Sequence, residues 1–129
     1  MQVHLPYGAK TISMEITPER VIASQIGQMR TSRCGKTLVA EALENPIGSP
    51  RLSQLAKGKK NAVIIISDHT RPVPSRDIIP LMLKELRQGN PEIDITLLVA
   101  TGCHRGTTVS ELESKLGQEI VCNEKIVVH

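Results

Sequence analysis

The sequence predicts an α/β fold in which βαβ units surround a mostly parallel sheet, with a β-hairpin at the N-terminus. Three observations predict it. Residues 62–66 (AVIII) and 93–100 (IDITLLVA) are short apolar runs rich in β-branched side chains, the composition of buried strands. Between them, residues 77–89 carry Ile78, Ile79, Met82, Leu83 and Leu86 at helical spacing, the stripe of a helix that lays one face on a sheet. A further helical stretch leads into a third short strand at residues 126–128. Strands joined through helices of this length pair in parallel, by right-handed crossovers.

Taken in order, residues 3–5 and 11–16 flank Pro6, Tyr7 and Gly8, and Ile12, Met14 and Ile16 alternate with polar residues. That pattern predicts a hairpin with one buried face. Residues 21–26 fit a strand or a short helix, and residues 27–35 read as loop. Over residues 37–44, Leu38, Val39, Ala42 and Leu43 mark one helical face, which Asn45-Pro46 stops. Ser49-Pro50 supplies a cap and a first-turn proline for a second short helix carrying Leu52, Leu55 and Ala56, with Gly58 as its stop. The run at 62–66 is then expected to be buried on both faces. In the next helix Asp77 is the expected cap, because Pro80 then falls where amides need no intrahelical partner. Asn90-Pro91 ends that helix. Thr108-Val109-Ser110-Glu111 spells a capping box, with Leu112 and Leu116 pointing inward before Gly117.

At 129 residues the chain reads as a single α/β domain with its own core. Its one aromatic, Tyr7, offers no stacking platform for single-stranded nucleic acid. With a net charge of +3 and basic residues dispersed except for Lys57, Lys59 and Lys60, which read as a solvated turn, no nucleic-acid partner is expected. No run approaches membrane-spanning length and the N-terminus lacks a signal pattern. Cys34, Cys103 and Cys122 are odd in number and form no CxxC pair, so neither a disulfide framework nor a zinc knuckle is indicated. A cytoplasmic location follows. The chain stops at EKIVVH inside an expected strand, which reads as part of a longer protein.

Chemistry concentrates where the strands end. After Ile66 the chain turns to Ser67, Asp68, His69, Thr70 and Arg71, then to Pro72 and Pro74, which stiffen the loop. Carboxyl ends of strands are where open α/β sheets bind ligands. Arg71 carries a planar fork that fits a carboxylate, and Asp68 can hold that fork or a nearby imidazole, or close the loop with a plain ion pair. His104 stands in a glycine-flanked loop past the second apolar run, suited to proton transfer or equally to an ordinary surface role. Cys103 reads as a buried thiol rather than a nucleophile, and His69, Cys103 and His104 are a weak candidate metal set. His4 and His129 look like bystanders. The GKT at Gly35 to Thr37 is not a phosphate loop, since Arg30 stands where its first glycine belongs. These residues describe half of a small-molecule pocket: a carboxylate clamp at Arg71, an acid/base at His104 and Asp68 between them.

Together the motifs LPYG from Leu5, ENPIGS from Glu44, SDHTRPVPS from Ser67, ATGCHRGTT from Ala100 and the closing EKIVVH resemble the nickel-dependent lactate racemase family. The resemblance runs along the whole chain and implies a Rossmann-like N-terminal domain of a longer two-domain enzyme. It implies an isomerase that interconverts enantiomers of a 2-hydroxy acid by proton-coupled hydride transfer to a nickel-pincer nucleotide (pyridinium-3,5-bisthiocarboxylate mononucleotide nickel). By the same resemblance His104 is one of two catalytic histidines, Arg71 binds or polarises substrate, and Asp68 and Thr70 support them. The cofactor-tethering lysine, the nickel-binding histidine and the second catalytic histidine are expected beyond residue 129, so this chain alone is expected neither to hold the cofactor nor to racemise. Gly106 stands where many relatives carry proline, which loosens the His104 loop. The alternative reading is a stand-alone α/β module that binds a small carboxylate without catalysis.

Overall fold

The computed structural model describes residues 1–20 and 34–129. The chain divides into two compact units, Met1–Thr31 and Ser32–His129. The reading of residues 21–26, and of the loop up to residue 33, lies outside the described residues.

In the first unit β1 (Gln2–Tyr7) pairs antiparallel with β2 (Lys10–Glu15), Val3 opposite Met14 and Leu5 opposite Ile12. A 3₁₀ turn, Pro18–Arg20, follows. The hairpin is as expected; its buried face is not. Leu5, Ile12 and Met14 are each nearly half exposed, because a two-stranded ribbon has no second layer of its own to cover that face.

The second unit runs α1 (Gly35–Glu44), α2 (Leu52–Ala56), β3 (Asn61–Ser67), α3 (Ser75–Gly89), β4 (Asp94–Ala100), α4 (Val109–Leu116), α5 (Gln118–Asn123) and β5 (Lys125–Val128). The three strands form one parallel sheet in the order β3-β4-β5, with Ile64 beside Leu97, Ile66 beside Val99 and Leu97 beside Ile126. One face of that sheet builds the core. Ile64, Ile66, Ile95, Leu97 and Val99 bury against Ile79, Leu83 and Leu86 of α3 and Leu112 and Leu116 of α4. Leu97 and Val99 have no exposed surface at all, which follows from their place on the central strand under both helices.

Two expectations about these elements need correction. β3 is buried on one face only: Val63 and Ile65 point to the reverse face and are 60% and 71% exposed. Both crossover helices lie on the opposite side, so an apolar run with the composition of a doubly covered strand is here covered once. The helix caps also differ. Arg51, not Ser49, precedes α2, and Ser49 Oγ donates to the Pro50 carbonyl. Locally the Gln54 side chain accepts from the Arg51 amide at 3.3 Å, and α3 adds a second cap, the buried Glu85 carboxylate accepting from the Ser53 amide and from the Arg51 guanidinium. Burial works against the charge on Glu85, yet these donors hold its carboxyl below the usual range. α3 likewise starts at Ser75 behind Pro74, which places Asp77 inside its first turn and Pro80 within the helix.

Close packing of α2 on α3 depends on a missing side chain. A Cβ at Gly89 would stand 1.9 Å from the Ser53 carbonyl oxygen. The capping box of α4 forms as spelled, Thr108 Oγ1 accepting from the Glu111 amide while Glu111 accepts from the Thr108 amide. No helix among the described residues is long and apolar enough to cross a membrane.

Candidate functional site

Parallel pairing puts Ser67 beside Ala100, so the loops after β3 and β4 leave the sheet side by side. The stretch after Ala100 turns at once: Gly102 adopts φ +61, and the His104 amide donates to the Thr101 carbonyl at 3.1 Å. That left-handed step is open to glycine at little cost, and it folds His104 back over the end of β3.

Asp68 is the hub. Its side chain is buried, with 2% of the residue exposed. Oδ1 accepts from the Thr70 hydroxyl at 2.7 Å and from the Thr70 amide at 3.1 Å, the side-chain turn that Asp favours after a strand. Oδ2 lies 2.5 Å from Nδ1 of His104. The Thr70 hydroxyl and then the His104 imidazole hold the Asp68 carboxyl down to about 2, so it is ionised at neutral pH. An ionised carboxylate only accepts. The proton between the two therefore sits on Nδ1, and in the neutral imidazole the lone pair falls on Nε2. With 43% of its side chain exposed, His104 presents that ring to the surroundings.

Of the partners open to Asp68 from sequence, the structure selects the imidazole. Asp68 and Arg71 form no ion pair, and the Arg71 guanidinium makes no hydrogen bond or salt bridge to any described residue. Its backbone is fixed, however, with the amide donating to the Asp68 carbonyl at 3.4 Å and the carbonyl accepting from Lys115 Nζ of α4 at 3.0 Å. Burial lowers the Lys115 ammonium, while the Asp68 charge opposes that shift.

Arg71, Asp68 and His104 line one hollow of about 530 Å³, together with Ser67, Thr101 and Cys103. It has room for a small organic acid, and it combines a guanidinium unpaired among the described residues with an oriented imidazole. Ser67 Oγ is buried there without a hydrogen-bond partner among the described residues. Cys103, expected to be buried, is exposed on this wall. The tight turn after Thr101 carries it out of the sheet.

His69 goes elsewhere. Its Nδ1 is 3.3 Å from Thr107 Oγ1 and its Nε2 3.5 Å from Glu111 Oε1, beside a second hollow of about 410 Å³ on the other side of Arg71. The weak metal set of His69, Cys103 and His104 is thus not brought together, and among the described residues no three His, Cys, Asp or Glu side chains gather as a metal site.

Glu111 does more than cap α4. Arg105 donates to both its oxygens, at 3.0 and 2.6 Å, and the Thr108 hydroxyl donates at 3.0 Å. Led by Arg105, these donors hold its carboxyl far below the ordinary range. One carboxylate thereby ties the loop after β3, through His69, to the loop that carries His104. Lys115 and this second use of Glu111 escaped sequence reasoning, because no local pattern announces a contact made between two loops.

Residues 7–129 match the protein-family model described as the lactate racemase N-terminal domain. The chain is 46% identical to a lactate racemase of Thermoanaerobacterium thermosaccharolyticum over 98% of its own length and 30% of that relative's. It is 46% identical also to a lactate racemase of Lactiplantibacillus plantarum, over 98% of this chain and 31% of the other. Among solved structures, the lactate racemase apoprotein from T. thermosaccharolyticum superposes with a TM-score of 0.83, covering 100% of this chain and 30% of that one. The chain spans about a third of the length of these relatives.

Proposed function

We propose that this chain, which belongs to the lactate racemase N-terminal domain family, supplies the substrate-orienting and proton-transferring wall of a 2-hydroxy-acid racemase about three times its length. The observation that carries the reading is one hollow holding both an imidazole anchored by a buried carboxylate and an arginine with no side-chain partner among the described residues.

Arg71 binds the substrate carboxylate through parallel N–H donors, a fit that needs a guanidinium not already engaged by Asp68. Held there, a 2-hydroxy acid turns its hydroxyl toward Nε2 of His104, which takes the hydroxyl proton as the alcohol becomes a carbonyl and returns it on the way back. Asp68 fixes the ring through Nδ1 and stabilises the imidazolium formed during transfer, while Thr70 keeps Asp68 in place and ionised.

When bound, the nickel-pincer nucleotide implied by the family resemblance supplies the hydride acceptor that no side chain provides. The resemblance assigns its tether, its nickel-binding histidine and a second catalytic histidine to positions beyond residue 129. Proton transfer and substrate orientation are the steps that fall to this chain. Three free, exposed cysteines suit a reducing cytoplasm.

The test is racemisation of D- and L-lactate and related 2-hydroxy acids by the cofactor-loaded protein of family length, with His104→Ala beside it. Loss of about 10²–10⁴-fold in rate is expected, the span of a positioned proton-transfer group. Unchanged turnover in His104→Ala would remove the assignment. Carboxylate binding with no turnover by the parent protein would favour the non-catalytic module.

A further inference from the structure

The His104 ring is held at one atom. Asp68 fixes Nδ1, yet a ring secured there alone can pivot about that contact and carry Nε2 off line. The backbone restrains it only in part. Residues 101–108, between β4 and α4, form neither helix nor strand, and glycines stand on both sides of the histidine, at 102 and 106. The His104 amide closes one turn onto Thr101. A base whose placement decides the rate needs a further restraint.

The next residue in the chain supplies it. Arg105 donates to both oxygens of Glu111, a paired contact that fixes direction as well as distance, and the same guanidinium donates to the Gly106 carbonyl at 3.0 Å. Glu111 is itself anchored. Its Oε2 accepts from the Thr108 amide at 2.9 Å, and Leu112 and Leu116 seat its helix in the core. From the other loop His69 reaches the same carboxylate, with Nε2 at 3.5 Å, while its Nδ1 meets Thr107. Asp68 and His104 are thus each followed by a residue whose side chain ends on Glu111. The tie adds little to the stability of the fold, because the Arg105 side chain is 61% exposed and exposed ion pairs contribute little.

We propose that Glu111 is a positioning residue: through Arg105 and His69 it holds the loops after β3 and β4 in one register, so that Nε2 of His104 stays aimed at the substrate hydroxyl. The inference rests on the proton-transfer role proposed for His104. It assigns Arg105 to the aiming of its neighbour rather than to the substrate, and it gives His69 a use that is neither metal binding nor proton transfer. The restraint acts where placement of the base counts, in the transition state, and leaves capture of the acid by Arg71 alone.

The test uses the cofactor-loaded protein of family length. Glu111→Gln is the informative variant, because glutamine keeps an oxygen for the Thr108 amide, as a capping box allows, while its amide nitrogen cannot accept from Arg105. kcat is expected to fall about 10- to 100-fold with KM changed less than about 2-fold, and Arg105→Ala is expected to do the same. In the double variant the loss stays at that of one single change, since the two side chains act as a unit. Hydrogen exchange gives a readout independent of turnover: the His104 amide exchanges faster in Glu111→Gln, while the amides of α4 and β4 keep their protection. His104→Ala, run alongside, separates this proposal from the reading beneath it. Full activity in His104→Ala removes the proton-transfer role and the proposal with it; an inactive His104→Ala beside an unaffected kcat in Glu111→Gln removes the positioning role alone. Losses that multiply in the double variant, or a change confined to KM, overturn it as well. So does faster exchange throughout α4, which would make the effect a loss of fold.

Discussion

Oδ2 of Asp68 stands 2.5 Å from Nδ1 of His104, although the two residues are 36 positions apart. Each follows a different strand, and the parallel pairing of Ser67 with Ala100 brings them together. The pair is a buried acceptor serving a partly exposed ring, an arrangement that decides which imidazole nitrogen is free.

Asp68→Asn keeps the shape of that contact and removes the charge. An amide can donate to Nδ1, which permits the tautomer with its proton on Nε2, where the proposed mechanism places the lone pair. In the protein of family length kcat is expected to fall by about 10²-fold or more with KM little changed, as for loss of an interaction made in the transition state. Steady-state kinetics on both enantiomers of lactate check this, and a purely KM effect would contradict it.

Arg71→Lys retains a positive charge and loses the fork. A lysine ammonium cannot reproduce two parallel donors, so KM for the 2-hydroxy acid is expected to rise about 10-fold or more, the scale of one charge-assisted hydrogen bond. Unaltered affinity, measured by titration with the acid, would show that the carboxylate docks elsewhere.

Acid should weaken the fold through Asp68 in a defined window. Its carboxyl is lowered from 3.8 to about 2 in the folded chain, so the unfolded chain binds the proton more readily. The stabilisation is complete above pH 3.8 and is lost as pH falls through about 2. Thermal unfolding followed by circular dichroism, for the parent and Asp68→Asn, should give a difference that is constant at higher pH and shrinks across this interval. A difference that persists unchanged at the acid end would exclude Asp68 as its source.

Gly89→Ala tests the packing of α2 on α3. Helix propensity alone would favour alanine, but the added Cβ would meet the Ser53 carbonyl at 1.9 Å. Separating the helices is expected to cost about 1–3 kcal/mol. Denaturant titration measures it, and a neutral or stabilised variant would mean that the helices part freely. For comparison, Leu97→Ala removes a fully buried side chain from the central strand and should cost about 2–5 kcal/mol.

Sequence alone determined the α/β class, the strands at β3 and β4, the amphipathic stripe of α3 and the capping box of α4, since each is a local pattern of burial period or backbone hydrogen bonding. It also marked Asp68, Arg71 and His104 as chemical candidates, because polar residues crowd a strand end stiffened by Pro72 and Pro74. Tertiary structure decided that Asp68 serves His104 rather than Arg71, three residues away, and that Glu111 reaches Arg105 and His69. It also uncovered the reverse face of β3, and it brought Glu85 from α3 to the start of α2 as a cap that Ser49 does not supply. The division has one physical cause: spacing along a chain reports which face of its own helix or strand a side chain occupies, whereas the partner it meets depends on strand register and loop path, set only when distant segments pack.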